Sequence, residues 1–295
     1  MQRRSFLFAA GAAALPVQAA NKIDITRISA ITDEIARSPA AAIAFAHQYK
    51  LQWLELRDVP GMTGGNREYF QQPVEFLKQA AAEFKAEGIR ISFLNTSLLK
   101  YAMPDEQYPN PRTRPSPRFD KRAEELKKAM EAAHILGTNK VRVFAFTRVT
   151  EPEKVMPRIA GILNQQAELA AKEKLYLLLE NEASCNVATG ADLAAMMKLV
   201  PSKWMGINWD PENAARREKV PFPDGYELLP AKRILNVQIK GRNILPGPDW
   251  MDWAAVFRRL EKDGYKGQVG LETHIFGEVQ IQKSHESMAA ILKIV

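Results

Sequence analysis

Four residues carry the chemistry that can be read most directly from this chain. Glu180 closes the run Leu177-Leu178-Leu179, Asp210 follows Ile207-Asn208-Trp209, Gln238 sits in Asn236-Val237-Gln238-Ile239-Lys240, and Glu272 follows Val269-Gly270-Leu271. They are spaced by 30, 28 and 34 residues, close to one strand-helix unit of about 31 residues in a barrel of about 250. Residues repeated at that interval converge at one end of such a barrel. Three carboxylates meeting in a partly dry pocket raise one another's pKa unless a cation lies between them. Two Glu, one Asp and an amide carbonyl form an all-oxygen set that suits a hard divalent ion, with Mn²⁺ or Mg²⁺ ahead of Zn²⁺. Taken singly, each carboxylate reads sooner as a helix cap or an ion-pair partner; four such strand-end residues in succession point to a site.

The elements that must position them alternate along the chain. Strand candidates are Thr26 to Ile31, Leu51 to Leu56, Ile89 to Leu94, Lys140 to Phe146, Leu175 to Leu179, Trp204 to Trp209, Ile234 to Ile239 and Gln268 to Leu271. Most are apolar runs of the kind shown by strands buried on both faces. Amphipathic segments such as Arg118 to Leu136, Glu153 to Glu173 and Met251 to Asp263 lie between them, with Gly88, Gly137 and Gly264 at expected helix ends. The alternation predicts an α/β fold, a single-domain (β/α)8 TIM barrel over residues 21–295. An open doubly wound sheet alternates too, but eight units fit a closed barrel better. Two long connections, Tyr101 to Pro117 and Pro211 to Pro230, follow strands and therefore lie on the face where barrels carry their sites.

Residues 1–20 read as an export signal of the twin-arginine kind: Arg3-Arg4-Ser5-Phe6-Leu7 leads an apolar run to Val17 and small residues at Ala19 and Ala20. The expected destination is the periplasm, without stable membrane insertion once the signal is removed. The formal charge of +7 becomes +5 when Arg3 and Arg4 leave, and the remaining basic residues are scattered, which argues against a nucleic-acid partner. Cys185 is the only cysteine, so no intramolecular disulfide forms. The expected partner is a small-molecule sugar or glycoside; a homo-oligomer stays open.

Further candidates for substrate contact are Glu55 after strand two, Asn95 after strand three, Asn213 after strand six, Lys240 and His274. Arg57 joins them as a weaker candidate. Lys240 shares side-chain parity with Gln238, so it can neutralise an oxyanion or pair with Glu272. His274 shares parity with Glu272 and can touch substrate or support that carboxylate. His47 and His134 lie in helical segments and read as packing or surface residues, and Trp53, Phe144, Phe146 and Trp209 read as core.

From Ile31-Thr32-Asp33-Glu34-Ile35 to Leu271-Glu272-Thr273-His274, the chain resembles the xylose isomerase-like barrel family, also called sugar phosphate isomerases/epimerases. The resemblance implies metal ligands at Glu180, Asp210, Gln238 and Glu272, with Glu180 and Glu272 as the acid/base pair. Strand seven departs from the pattern: the family often has His followed two residues later by Lys, whereas this chain has Gln238 and Lys240. Gln offers a carbonyl oxygen, a weaker ligand than imidazole. A related endonuclease branch binds several zinc ions through many histidines, and four histidines do not supply that set. The expected function is a metal-dependent sugar or keto-sugar isomerase, epimerase or lyase that abstracts a proton next to a carbonyl through an enediolate. Two alternatives are a metal-independent glycoside-cleaving enzyme using two carboxylates and a non-catalytic carbohydrate-binding barrel.

Overall fold

Eight short strands pair side by side, all parallel, in the order β1-β8-β7-β6-β5-β4-β3-β2. They are β1 (Ile28–Ala30), β2 (Trp53–Leu56), β3 (Arg90–Leu94), β4 (Lys140–Val143), β5 (Tyr176–Glu180), β6 (Met205–Trp209), β7 (Ile234–Lys240) and β8 (Gln268–Glu272). A bridge between Ile31 and Glu55 joins the two ends, so the sheet closes into a single-domain (β/α)8 barrel. The computed structural model describes residues 22–295; the expected export signal at 1–20 lies outside the described residues. Among the described residues no helix is long and apolar enough to cross a membrane.

The α-helices among the described residues are α1 (Thr32–Ile35), α2 (Pro39–Gln48), α3 (Val74–Ala86), α4 (Arg118–Leu136), α5 (Pro152–Lys172), α6 (Gly190–Leu199), α7 (Pro211–Ala215), α8 (Gly241–Ile244), α9 (Trp253–Lys262) and α10 (Gln280–Ile291). Their ends follow local chemistry. Thr189 and Asp192 form a reciprocal capping box at the start of α6. Gly137 ends α4 at φ 76°, a left-handed conformation that costs glycine little. Strand boundaries move by a few residues from the sequence reading. Ile25–Arg27 forms a 3₁₀ turn ahead of β1, and β4 stops at Val143, before Phe144 and Phe146.

Most side chains on the outer face of the strands are apolar, and the lumen is not. On β7 the odd positions Val237 and Ile239 alternate with Asn236, Gln238 and Lys240, and all five are buried. Successive strand residues face opposite ways, so the three polar ones project together into the barrel. Ser29, Glu55, Asn95, Arg142, Glu180 and Asn208 are buried as well, and their mutual contacts place them beside these three. Barrel interiors are usually filled by branched apolar residues; here the axis is a polar column.

Candidate active site

The strand register staggers neighbouring residues along that column. Glu180 lies opposite Asn208, whereas Lys240 lies opposite Glu272 and Gln238 opposite Gly270. Ligand oxygens of Glu180, Asp210 and Glu272 thereby fall within 4.8 Å of one another, all three residues buried. Each comes from a strand end: Glu180 terminates β5, Glu272 terminates β8, and Asp210 follows β6 as the residue capping α7, accepting from Asn213 N–H at 2.9 Å.

Three cationic side chains offset this charge. Lys240 Nζ lies 3.0 Å from Asp210 Oδ2 and donates a short hydrogen bond to Glu272 Oε2. Arg57 Nη1 lies 3.0 Å from Glu272 Oε1, while its Nη2 contacts Asp33 at 2.5 Å and Glu34 at 2.6 Å. Arg142 Nη1 lies 3.1 Å from Glu180 Oε2. Burial alone would raise the Glu272 carboxyl, but Lys240, the His274 hydrogen bond, Arg57 and Arg142 hold it well below the usual range. Burial lifts Asp210 despite Lys240, with Glu180 and Glu272 pushing the same way. Burial works against the Lys240 ammonium, yet Asp210, Glu272 and Glu180 keep it protonated well above its ordinary range.

The upper part of the column opens into a cavity of about 450 Å³ lined by Glu180, Glu272, Lys240, Arg142, Arg57 and His274, with loop residues above them. His274, at φ 49°, sets Nδ1 3.4 Å from Glu272 Oε1. Phe276, 64 % exposed, stands edge-on to the His274 ring at the rim.

Five residues singled out in the sequence do not line this cavity. Asp210 lies beneath its wall, fully buried against Lys240. Gln238 turns away from the triad and donates through Nε2 to Glu55 Oε2 at 2.7 Å. Glu55 sits a layer lower, accepting from Ser29 Oγ at 2.8 Å, Asn95 Nδ2 at 2.6 Å and Asn236 Nδ2 at 3.3 Å. A Cβ at Gly270 would stand 2.0 Å from Glu55 Oε1, so the glycine makes room for that carboxylate. Their places after strands two and three made Glu55 and Asn95 candidates, but the stagger of the barrel sets their depth, outside the lining of this cavity. Asn213 is also buried, and its amide donates to Glu180 Oε1 at 3.3 Å and to Asn181 O at 3.1 Å, supporting the carboxylate from behind.

Arg142 escaped the sequence reading. Its signal was a single charge inside the apolar strand Val141-Arg142-Val143. Lys100 and Glu182, paired at 2.7 Å, also line the cavity, from loops that no periodicity marks. Cys185 is fully buried, with its thiol pushed up to about 12 by that burial, which leaves it inert. His47 and His134 sit on the surface beside Glu87 and Glu173. Phe144, Phe146 and Trp209 are core, and Trp53 packs beneath the Arg90 guanidinium.

No curated protein matches the chain. Solved structures do. A probable 3-DHS dehydratase, AsbF, involved in petrobactin synthesis from Bacillus anthracis is 16 % identical, with a TM-score of 0.69 over 90 % of this chain and 98 % of the other. A 3-keto-D-glucoside 4-epimerase, YcjR, from E. coli is 17 % identical, with a TM-score of 0.64 over 92 % and 100 %. The IOLI protein, solved with a bound zinc atom, is 16 % identical, with a TM-score of 0.69 over 91 % and 98 %. At such identities the likeness is one of fold. The sequence profile described as xylose isomerase-like TIM barrel matches residues 43–292, nearly the whole barrel, and the chain belongs to that family.

Proposed function

We propose that this protein removes a proton from a carbon next to the carbonyl of a sugar or keto-sugar, so as to isomerise, epimerise or eliminate. The observation that carries this reading is the convergence of Glu180, Asp210 and Glu272 within 4.8 Å, with Glu180 and Glu272 on the cavity wall. Two carboxylates facing one bound ring can take a proton and return one. The epimerase and dehydratase among the fold relatives are consistent with that shared first step.

Both oxygens of Glu272 are engaged, Oε1 by Arg57 and Oε2 by Lys240, so in this arrangement it is a weak base. A substrate oxygen that draws the Lys240 ammonium away strengthens the base as it gains a counter-charge. Arg142 holds Glu180 in the same manner on the opposite side of the triad.

A divalent ion, Mn²⁺ or Mg²⁺ ahead of Zn²⁺, belongs to the proposal. The donors fit it: three buried carboxylates converge within 4.8 Å, while Gln238, bound to Glu55, stands apart from them. Glu180, Asp210 and Glu272 would hold the ion, which would supply positive charge beside the developing enediolate. Lys240 already lies on two of these carboxylates, so an ion there competes with the ammonium. That contact favours a second reading, in which Lys240 is the only cation the proton transfer needs. The proposal includes export to the periplasm and, with it, a free sugar or glycoside as substrate.

Elemental analysis of the purified protein beside Asp210→Ala and Glu272→Ala tests the metal, and proton exchange in D₂O with D-fructose and D-psicose, read by NMR, tests the reaction. Near-stoichiometric Mn or Mg that disappears in both variants supports the metal form. Exchange that survives exhaustive chelation supports the Lys240 form. No exchange with any sugar or keto-glycoside in a wider panel would leave a binding barrel without turnover.

A further inference from the structure

A second, larger cavity, of about 610 Å³, is lined by residues of α7, α8 and the segments that follow them. We propose that it receives a second, neutral sugar ring, so that the substrate is a glycoside of at least two rings rather than a monosaccharide. The inference deepens the proton-abstraction reading and rests on it for the placement of the first ring.

Position is the first argument. Glu212, on this cavity, is two residues beyond Asp210, and Arg242 is two residues beyond Lys240. The strand ends that build the reacting site therefore also build the neighbouring one. Its volume lies inside the range of about 300–1,000 Å³ usual for small-molecule sites.

Chemistry is the second. Trp250 lines the cavity 57 % exposed and stacks on no other ring among the described residues. An exposed indole keeps a broad apolar face in water, and the C–H face of a sugar ring covers it at little cost. Glu212 is only 6 % exposed, and its Oε2 has no hydrogen-bond partner. A buried carboxylate oxygen left unpaired is costly, and a sugar hydroxyl would satisfy it. Arg216 approaches the other Glu212 oxygen at 3.4 Å and Arg242 at 3.8 Å, and Arg242 reaches Asp249 at 3.8 Å. Arg216 donates to Glu212 Oε1, whereas contacts of 3.8 Å are too long for direct hydrogen bonds, so Arg242 and Asp249 are open to hydroxyl groups. The wall carries two carboxylates, Glu212 and Asp249, beside three cationic side chains, Arg216, Lys219 and Arg242. An anionic ligand would meet Glu212 and Asp249, whereas a neutral polyol finds donors and acceptors together.

Isothermal titration of the mature protein with cellobiose, maltose and lactose, against methyl β-D-glucoside, tests the subsite. The best disaccharide is expected to bind roughly tenfold more tightly than the monosaccharide glycoside, and Trp250→Ala and Glu212→Gln to bring that ratio towards one. Equal affinities in the wild type, a ratio untouched by Trp250→Ala, or no saturable binding of any disaccharide would overturn the proposal. The two readings separate cleanly: lost proton exchange with an intact affinity ratio removes the reaction and keeps the subsite. A flat ratio with intact exchange removes the subsite alone.

Discussion

Two regions of the barrel axis hold buried carboxylates, and each solves the problem of burial differently. In the upper region, Glu180, Asp210 and Glu272 face the cations Lys240, Arg57 and Arg142. In the lower region, Glu55 meets only neutral donors from Ser29, Asn95, Asn236 and Gln238. Burial raises the Glu55 carboxyl, and the hydrogen bonds from Gln238, Ser29, Asn95 and Asn236 offset it only in part. Glu272 is pushed the opposite way because full positive charges reach it. A carboxylate kept ionised and open to a cavity is equipped to move protons; one enclosed by amides spaces the strands beneath it. On the proposed reading the lower region is scaffold beneath the upper one.

The same substitution in both regions gives the sharpest contrast. Glu272→Gln is expected to lower turnover by about 10²–10⁴-fold while the protein stays folded, and Glu55→Gln to leave turnover near wild type. Retained activity in Glu272→Gln, followed by NMR proton exchange, would remove that residue from the acid/base role.

Lys240→Met tests whether the upper region depends on its ammonium. Removing one partner from a buried ionic cluster costs about 3–5 kcal/mol, read as a fall in the urea midpoint. Added Mn²⁺ should recover part of that loss by taking the place of the lost charge. A loss below about 1 kcal/mol would mean that the ion pairs seen here are energetically idle.

The smallest effect belongs to Glu55. Because its folded pKa is raised, the stability it contributes is present below its ordinary value of 4.5 and is lost as pH rises through the folded pKa. Glu272 has the reverse sign: its contribution is present above 4.5 and is lost as pH falls through its depressed value. Glu55→Gln should therefore match the wild type within about 1 kcal/mol at low pH and gain on it as pH rises. Asn95 Oδ1, Asn236 Oδ1 and Gln238 Oε1, all without partners, are available to accept from the new amide. Urea unfolding at pH 5 and pH 8 checks this, and a difference independent of pH would contradict the assignment.

The strand candidates fall within a few residues of the observed strands because buried parallel strands leave a largely apolar record, interrupted at the lumen-facing positions. Helix α4 begins and ends at the predicted residues, where Pro117 and Gly137 bracket it. Parity along β7 groups Gln238 and Lys240 on one face, and the structure adds Asn236 to it. What parity does not contain is height. Gln238 was expected beside the carboxylates and is instead bound to Glu55, since neighbouring strands in a tilted barrel are offset along the axis. Arg142 was overlooked for a related reason: a lone charge in a strand announces itself only when its partner on the neighbouring strand is known.

The amino-acid sequence by itself determined the repeating strand-helix unit and, through its nearly constant length, the convergence of Glu180, Asp210 and Glu272. Only the tertiary structure decided which charges meet them. The distance between strand ends is periodic in sequence, whereas the depth of a side chain in the lumen and the cation opposite it come from the stagger between paired strands.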